Sequence, residues 1–330
     1  VMLGVEERAR RAPTPKIAFS EGEERRALRA AAAVMDQNLG TSVLVGDESR
    51  IRAAADEVGV DIEAMEIVDP RQDARAPDFA EAYYELRHLR GVNLHDAPLM
   101  MENTRRYAMM LQRNGDVQLT VTGVNRSYPK AVTDAIQILG VRSGERAAAL
   151  HMMVLPDRVL FLADTSLTIE PTAEELAEIA IAAADAARSF DFDPRVAVLS
   201  FSNFGSVEHP AAKRAQHAVR IVRQVRPDIL IEGEMHADVA LDRGTGSRLC
   251  PNSLIDGDAN VLVFPDLASG NIGYKLLEHL AGAEAIGPIL LGMERPVVVT
   301  YQNASVERIV NLTAVALARS LDQAPGMLFT

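Results

Sequence analysis

The sequence predicts an α/β protein with mainly parallel sheets. Short β-branched runs alternate with longer helical patterns along the chain, and this alternation is typical of βαβ units. Residues 17–19 form the first predicted strand, a helix rich in Ala and Arg follows over residues 21–38, and Gly40 supplies a C-terminal stop. The same succession continues to the end of the chain. Further strands are predicted at residues 42–45, 65–68, 117–124, 148–155, 158–163, 196–200, 229–232, 261–264 and 288–291.

Helical patterns separate these strands, and a polar stretch near the middle of the chain divides them into two groups. Residues 140–144 contain two glycines and are the best candidate for a domain boundary. The chain has 330 residues, 48% of them hydrophobic, which is enough for two domains because single cores stop growing at about 250–300 residues. Predicted helices follow Asp47 and span residues 79–90, 97–112, 128–139, 172–188 and 305–321.

Composition and charge argue against several classes of protein. A formal net charge of −12 repels nucleic acid and anionic membranes, so we expect neither as a partner. No apolar run reaches the ~18 residues of a membrane-spanning helix. The single cysteine, Cys250, suits a reducing compartment, so we expect a cytoplasmic protein. Neither the glycine pattern of a dinucleotide site nor the nucleophile elbow of a hydrolase occurs in the sequence.

Polar loops follow several of the predicted strands. Ligands of open α/β sheets bind beyond the carboxyl ends of the strands, which singles out residues 123–128, 200–206, 232–238 and 265–271. The loop at 200–206 combines serine hydroxyls, backbone amides and the start of a helix, and these groups together can bind an anion. An ordinary βα loop of small residues is an equally good interpretation, and the residues leave both open.

Two further segments have a functional and a simpler interpretation. Residues 269–271, Ser-Gly-Asn, could offer amides to a ligand, but a helix N-cap with glycine for close packing is simpler. Glu232 and Glu234, with His236 and Asp238 nearby, could perform acid–base chemistry or bind a metal. Solvated acids in a capped loop are the simpler interpretation, because no matching ligand cluster appears elsewhere in the sequence.

Several segments resemble the phosphate acetyltransferase family, in the same order along nearly the whole chain. Residues 17–28 resemble the family's first strand and its Arg-bearing helix, and residues 84–87, Tyr-Glu-Leu-Arg, resemble its Glu-Leu-Arg segment. Matched strings of this length are stronger evidence than a short motif. The most specific strings are Pro-Asp-Leu at 265–267, Gly-Asn-Ile at 270–272, Tyr-Lys at 274–275 and the segment 283–289.

The resemblance implies a fold and an activity. The fold would be two α/β/α three-layer domains with a cleft between them, similar to the isocitrate and isopropylmalate dehydrogenases. Residues 1–141 and about 296–330 would form the first domain, and residues from about 142 to 295 the second, which would carry the dimer contact and the cleft loops. The family's enzymes move an acetyl group between CoA and phosphate, by attack of the CoA thiolate on acetyl phosphate.

The positions at which active family members carry catalytic groups hold other residues here. After the last strand of the second domain, active members carry a Ser-Arg pair and then an Asp, and these places hold Tyr301, Gln302 and Arg308. A phosphate-binding Arg is replaced by Thr133, and a Thr-Lys-Gly string by Asn-Phe-Gly at 203–205. The combined loss removes much of the electrostatic stabilisation that such chemistry needs. The resemblance therefore implies a domain without catalytic residues.

These replacements themselves resemble the C-terminal domain of the hybrid NADP-dependent malic enzymes. In those proteins an N-terminal part converts malate to pyruvate and CO₂ with NADP and a divalent metal, and the appended domain binds acetyl-CoA and inhibits the reaction. The resemblance implies acetyl-CoA as an allosteric ligand and the N-terminal malic enzyme domains of the same polypeptide as partners. The segments that carry it are residues 125–128, 202–206, 233–236 and 304–311.

The same resemblance supplies the candidate binding residues. Arg26 and Arg87 match basic positions that the family uses toward CoA or phosphate, and Arg126 stands where active enzymes carry a His. Two rival functions remain open: an active phosphate acetyltransferase, and a ligand-free oligomerisation module with Tyr301 as a plug. A homo-oligomer, at least a dimer, is expected in each case. The other candidate residues for acetyl-CoA are Ser202, Asn203, Phe204, Gly205, Ser206, Asn271 and Lys275, and no metal-binding residue is proposed.

Overall fold

Strands and helices alternate along the chain, as the sequence pattern predicts. A computed structural model describes residues 2–11, 14–125 and 127–323. Its strands are β1 (Lys16–Phe19), β2 (Thr41–Val45), β3 (Glu66–Val68), β4 (Leu119–Thr122), β5 (Ala148–Val154), β6 (Val159–Ala163), β7 (Arg195–Leu199), β8 (Leu230–Met235), β9 (Val261–Val263), β10 (Glu284–Leu291) and β11 (Val297–Val299). Its helices are α1 (Met2–Ala9), α2 (Arg25–Asp36), α3 (Glu48–Val58), α4 (Ala76–Arg87), α5 (Ala97–Met101), α6 (Thr104–Asn114), α7 (Tyr128–Leu139), α8 (Ala173–Ser189), α9 (Pro210–Val225), α10 (Ala237–Leu241), α11 (Arg243–Leu249), α12 (Leu267–Leu280) and α13 (Val306–Gln323), with a 3₁₀ turn at His88–Arg90.

The chain divides into two units. The first consists of Val1–Val141 together with Met293–Thr330, and the second is Arg142–Gly292. The chain returns to the first unit at Met293, and β11 then joins the sheet of that unit. In the part of the chain that the structure describes, no helix is both long and apolar enough to span a membrane.

The first unit is built on a five-stranded sheet in which every neighbouring pair is parallel. The strand order is β11-β4-β1-β2-β3. Helices α2 and α13 pack on each other and on the sheet, and α4, α6 and α7 form a second packed group that also contacts it. The loops after β1, β4 and β11 start at neighbouring positions, because these three strands are adjacent and point the same way.

The second unit contains a mixed six-stranded sheet. Its order is β10-β5-β6-β9-β7-β8, with the β10–β5 and β5–β6 pairs antiparallel and the other three pairs parallel. Helices α8 and α9 pack together and contact the parallel strands, and α12 contacts β5, β6 and β10. The prediction of an α/β fold with mainly parallel sheets is confirmed, with strand side chains buried on both faces as expected for parallel sheets.

Several elements differ from the predicted order. Helix α1 and strand β11 were not predicted, and β11 pairs with β4 in the first unit, within the segment from about residue 296 that was assigned to the first domain. The helix predicted over residues 97–112 is two helices, because Asn103 caps α6 with its side chain. Glu232 and Glu234 lie within β8 rather than after a strand.

Candidate functional site

A buried carboxylate organises the loop that follows β7. Glu234 has no exposed surface, and its Oε1 accepts hydrogen bonds from the Ser202 hydroxyl at 2.6 Å and from the Gly205 amide at 2.8 Å. The backbone oxygen of Glu234 also accepts the Phe204 amide at 2.8 Å. Glu234 Oε2 is buried and has no hydrogen-bond partner among the described residues. The loop is therefore held rigidly on β8 through one acidic residue.

The backbone amides of residues 203–207 already donate to acceptors of the protein. The amides of Phe204 and Gly205 donate to Glu234, and that of Ser206 donates to the Asn203 carbonyl at 3.0 Å. The Asn203 amide donates to Ser206 Oγ at 2.9 Å, and the Val207 amide donates to Ser202 Oγ at 3.1 Å. Helix α9 begins only at Pro210. Internal acceptors thus occupy the amides of residues 203–207, which favours the ordinary βα loop, and anion binding by residues 200–206 stays a prediction.

Asn271 and Lys275 lie on α12, where the helix-capping interpretation fits best. Asp266 accepts the Ser269 amide at 2.8 Å and caps the helix. A Cβ at Gly270 would lie 2.3 Å from the Asp164 carbonyl oxygen, so glycine is needed for this close approach. The Asn271 side-chain amide donates to the Thr165 carbonyl at 3.1 Å. Asn271 therefore joins α12 to the loop after β6.

Near Asn271, α12 also contributes an aromatic stack, and a buried acid follows β6. The His151 ring stacks on Tyr274 with a centroid distance of 3.9 Å, and Lys275 Nζ lies 5.8 Å from the centroid of the same tyrosine. Asp164 accepts hydrogen bonds from four backbone amides, among them those of Ser166 and Thr168. Burial nevertheless raises the pKa of Asp164, while the amide hydrogen bonds oppose that rise. Lys275 is the exposed cation of this cluster.

The two acids of β8 serve different partners. Glu232 accepts hydrogen bonds from the Ser253 hydroxyl and the Ile255 amide, whereas Glu234 holds the loop after β7. His236 Nδ1 lies 4.0 Å from Asp238. In the described ranges no group of three or more His, Cys, Asp or Glu side chains could hold a metal ion. The paired-carboxylate interpretation thus has no geometric support in this unit.

The Arg26 side chain is hydrogen-bonded within the first unit. Its guanidinium donates to the carbonyl oxygens of Val124 at 2.9 Å, Gln302 at 2.5 Å and Ala304 at 3.2 Å. It also pairs with Glu24 at 3.0 Å. These bonds connect the start of α2 with the segments after β4 and β11. The structure therefore gives Arg26 a structural role, and its assignment to the CoA phosphates stays a prediction.

Arg87 is the contrasting case. It lies at the end of α4, its Nε is shielded from solvent, and this Nε has no hydrogen-bond partner among the described residues. No acidic side chain within the described ranges pairs with its guanidinium, whereas many other arginines of the chain are paired. Arg126 lies outside the described residues, so the structure places neither its backbone nor its side chain.

The positions that depart from the family pattern are used for local structure. The Thr133 hydroxyl bonds back to the Pro129 carbonyl at 2.8 Å within α7, and the Tyr301 ring packs on Tyr128 at a centroid distance of 4.8 Å. Gln302 contributes its carbonyl oxygen to Arg26. The Arg308 amide donates to Ser305 Oγ at 3.1 Å, in the first turn of α13. These contacts need no ligand.

Sequence reasoning missed a buried acid that follows β1. Glu21 Oε1 accepts the Gly123 amide at 3.2 Å and the Thr122 hydroxyl at 3.4 Å, and its Oε2 is buried without a partner among the described residues. Burial raises the pKa of Glu21, against the opposing effect of the hydrogen bond from the Gly123 amide. Its position directly after a strand of an open sheet was the signal that could have identified it.

A buried ion pair in the same unit was also missed. Asp134 accepts from Arg105 Nε at 2.7 Å and from Arg106 Nε at 3.1 Å, on α7 next to Thr133. Next to Thr133, the position where the resemblance expects a phosphate-binding arginine, the helix thus carries an acid that neutralises two arginines. No sequence periodicity distinguishes such a pair from surface charge.

Two α/β units with polar, strand-terminal loops define a protein of the ligand-binding or group-transferring α/β type. Residues 1–317 match the family model described as phosphate acetyl/butaryl transferase. A phosphate acetyltransferase of Clostridium acetobutylicum is 36% identical over 313 residues, which cover 92% of this chain and 94% of the relative. The chain therefore belongs to the phosphate acetyl/butaryl transferase family.

Solved structures and a second kind of relative agree with this membership. A phosphotransacetylase from Streptococcus pyogenes superposes with a TM-score of 0.91 at 33% identity, covering 97% of each chain. The EutD phosphotransacetylase from Staphylococcus aureus gives a TM-score of 0.87 at 30% identity, over 97% of this chain and 99% of that one. An NADP-dependent malic enzyme of Haemophilus influenzae is 37% identical over 92% of this chain, which spans only 41% of that relative.

Proposed function

We propose that this chain binds acetyl-CoA, and that Arg87 contributes to holding its phosphates. The observation that supports this proposal most directly is that Arg87 Nε is buried without a hydrogen-bond partner among the described residues. Buried polar groups of native proteins are almost always hydrogen-bonded, and an orphan guanidinium donor is stabilised when an anion arrives. The ligand must be held by particular cations, because the chain as a whole has a net charge of −12.

Binding without turnover is the role that the side chains favour. Tyr301, Thr133 and Gln302 stand where the family resemblance expects catalytic or phosphate-binding groups, and each makes local contacts instead. Electrostatic stabilisation of a developing charge needs preorganised donors, and these contacts supply none. On this proposal acetyl-CoA is a regulatory ligand of a larger malic enzyme, in which NADP and a divalent metal belong to the N-terminal part.

Acyl transfer to phosphate is the second candidate, and the comparisons support it more directly than the regulatory role. Full-length relatives called phosphate acetyltransferase match over 94% and 93% of their own lengths. The malic enzymes are matched over only 41% and 42% of theirs. A third candidate, an oligomerisation module without a ligand, is favoured by the Tyr301–Tyr128 packing, which fills space with the chain's own side chains.

Calorimetric titration with acetyl-CoA tests the proposal. The wild-type chain and Arg87→Gln are compared with Arg90→Gln, a matched control three residues away that is exposed to solvent. We expect saturable binding by the wild type and the control, and roughly tenfold weaker binding by Arg87→Gln, the cost of about one charge-assisted hydrogen bond. No heat and no thermal stabilisation at millimolar ligand would reject acetyl-CoA binding, because a ligand of the native state must raise its apparent stability.

A transfer assay separates the regulatory role from the transferase. Acetyl phosphate and CoA are supplied, and thioester formation is followed by ultraviolet absorbance. Rates indistinguishable from buffer, with binding intact, support the regulatory role. Turnover of about 1 s⁻¹ or more, in the range typical of enzymes, supports the transferase. A cytoplasmic location and a homo-oligomer, at least a dimer, remain part of the proposal, and the free thiol of Cys250 agrees with a reducing compartment.

A further inference from the structure

Helix α12 is apolar on the side that faces solvent. Ile272, Leu276 and Leu280 are 58%, 53% and 81% exposed, whereas most large apolar side chains of the chain are buried. They follow one another at intervals of four residues, so they lie in one row along the helix. Ala268, one turn earlier, is also exposed and extends the row toward the start of α12.

The opposite side of α12 already packs on the second unit. Gly270 and Tyr274 are buried there, and the helix contacts β5, β6 and β10 of the mixed sheet. A surface helix of a globular protein normally has one apolar and one polar side, and a helix that is apolar all round is normally buried. Two apolar sides therefore indicate a second contact, which the described part of the chain does not supply.

The strand next to α12 is poorly suited to make that contact by pairing. Strand β10 is at the edge of the six-stranded sheet, and β5 is its one neighbour among the described residues. Pro288 lies within β10, and the register with β5 shifts between Ile286 and Ile289. Proline and such irregularities keep the edges of sheets from pairing with other chains. A partner at this edge is therefore contacted by the helix and not by an added strand.

The charges on α12 distinguish between partners. The chain has a formal net charge of −12, so two copies repel each other wherever their acidic residues meet. The exposed positions of α12 include Lys275 and His279 and no acid, and the acid of the helix, Glu278, is half-buried. Such a surface attracts an acidic partner, and a second copy of this chain is one. A basic partner would instead prefer the acidic remainder of the surface.

We propose that α12 forms the centre of a contact between two copies of this chain. The inference rests on the proposed function only in the expectation of a homo-oligomer, and acetyl-CoA binding is not part of it. A contact between two identical surfaces has two-fold symmetry, so the middle of the row on one copy lies against the middle of the same row on the other. Leu276 is that middle residue. Rows of residues four apart interlock in the commonest class of helix packing.

The row is the centre of such an interface and not the whole of it. A stable interface buries about 800 Å² on each partner, more than three side chains can cover, and its apolar core is surrounded by a polar rim. Loss of one central anchor weakens association about thirtyfold. A symmetric contact loses the anchor twice, so Leu276→Ala should weaken the dimer about 1,000-fold.

The experiment measures the mass of the full chain by sedimentation velocity and mass photometry, from micromolar to nanomolar concentration. We expect a dimer for the wild type and for Leu99→Asp, dissociation at about 1,000-fold higher concentration for Leu276→Ala, and a monomer for Leu276→Asp, which places two unpaired charges in the contact. Leu99 is the matched control, because it is 63% exposed and belongs to the first unit. Circular dichroism verifies the fold of each variant.

Cross-linking gives a second measurement that does not depend on weakening the contact. Leu276→Cys and Leu99→Cys are made in a Cys250→Ser background, which removes the one natural thiol of the chain. A short bismaleimide should join two copies through position 276, because the two-fold axis brings these residues together, and should not join them through position 99. If Leu276→Asp does not fold, the dilution series of Leu276→Ala and this cross-link decide the question.

The possible failures are distinguishable. A wild type that is monomeric at every concentration overturns the inference together with the expected homo-oligomer, while calorimetry with acetyl-CoA tests the binding proposal separately. An oligomeric wild type whose mass is unchanged in Leu276→Asp overturns the α12 contact alone, because the interface then lies elsewhere. Equal dissociation of Leu276→Asp and Leu99→Asp, or equal cross-linking at both positions, also overturns the assignment to α12.

Discussion

Replacing Arg26 and Arg87 separately should produce opposite phenotypes, although both match basic positions that the resembled family uses toward CoA or phosphate. Arg26→Ala removes three hydrogen bonds to carbonyl oxygens, at 2.5, 2.9 and 3.2 Å, and the ion pair with Glu24. Charge-assisted bonds of this kind contribute about 1.5–3 kcal/mol each when they are buried. The Arg26 side chain is 32% exposed and water can replace part of the bonding, so we expect a total loss of about 2–4 kcal/mol.

The consequence for melting follows from the size of the unit. For domains of 150–250 residues, 1 kcal/mol corresponds to about 2–4 °C, so a loss of about 2–4 kcal/mol in Arg26→Ala should lower the melting temperature of the first unit by roughly 4–16 °C. Arg87→Ala breaks no hydrogen bond of its side chain that the structure shows, and should change the melting temperature by no more than about 1–2 °C. Its acetyl-CoA affinity should instead fall about tenfold.

Circular dichroism melts and titration calorimetry on the same preparations decide the question. Differential unfolding of the two units is resolved by scanning calorimetry, which reports separate transitions when they occur. A structural role for Arg26 is contradicted if Arg26→Ala melts like the wild type while losing acetyl-CoA binding, since the guanidinium would then act on the ligand. A ligand-binding role for Arg87 is contradicted if Arg87→Ala unfolds at a much lower temperature with its affinity intact.

Three further substitutions test buried acids. Burial raises the pKa of Glu21 above its usual 4.5, so the stability that its protonation contributes is fully present below pH 4.5 and is lost as pH rises through the folded-state pKa. The stability of Glu21→Gln should therefore increase relative to wild type across this interval, by about 1.4 kcal/mol for each pH step of one. A difference in urea denaturation that does not change with pH would contradict this. Glu234→Ala should lower the free energy of unfolding by about 3–5 kcal/mol and speed amide exchange in residues 200–209. The exposed control Glu208→Ala should lower it by less than about 0.5 kcal/mol, and equal losses in the two variants would refute the anchoring role of Glu234. Asp134→Asn should destabilise by about 3–5 kcal/mol, because it leaves the buried Arg105 without its counter-charge, and a loss below about 1 kcal/mol would show that this arginine is otherwise compensated.

Local signals account for the parts of the fold that were predicted. The strands that became β1, β2, β5 and β9 are runs of β-branched and apolar residues bounded by turn residues, and α7 was placed at its observed ends because a proline at its start and Gly140 at its end mark both. Strand β11 has only three residues, Val297–Val299. Its identity as a strand depends on pairing with β4, far away in the sequence, and no local pattern contains that partner.

Local signals also account for only part of the candidate site. The sequence identified the loop after β7 and the Asn271 region, because both follow strands of an open sheet. It could not show that the amides of residues 203–207 are bonded internally, since their acceptors include Glu234, which lies on the neighbouring strand. Nor could the sequence show that the Arg26 guanidinium is hydrogen-bonded within the first unit whereas Arg87 Nε has no partner among the described residues.

The sequence by itself determined the fold class, the approximate order of strands and helices, and the family resemblance that the comparisons confirmed. These follow from short-range periodicity, turn residues and matched strings of neighbouring residues. Only the tertiary structure decided which polar groups hydrogen-bond within the fold and which have no partner among the described residues. Arg26 and Glu234 reach their partners across 276 and 29–32 residues of chain, and such a bond forms only when the sheet brings distant loops together.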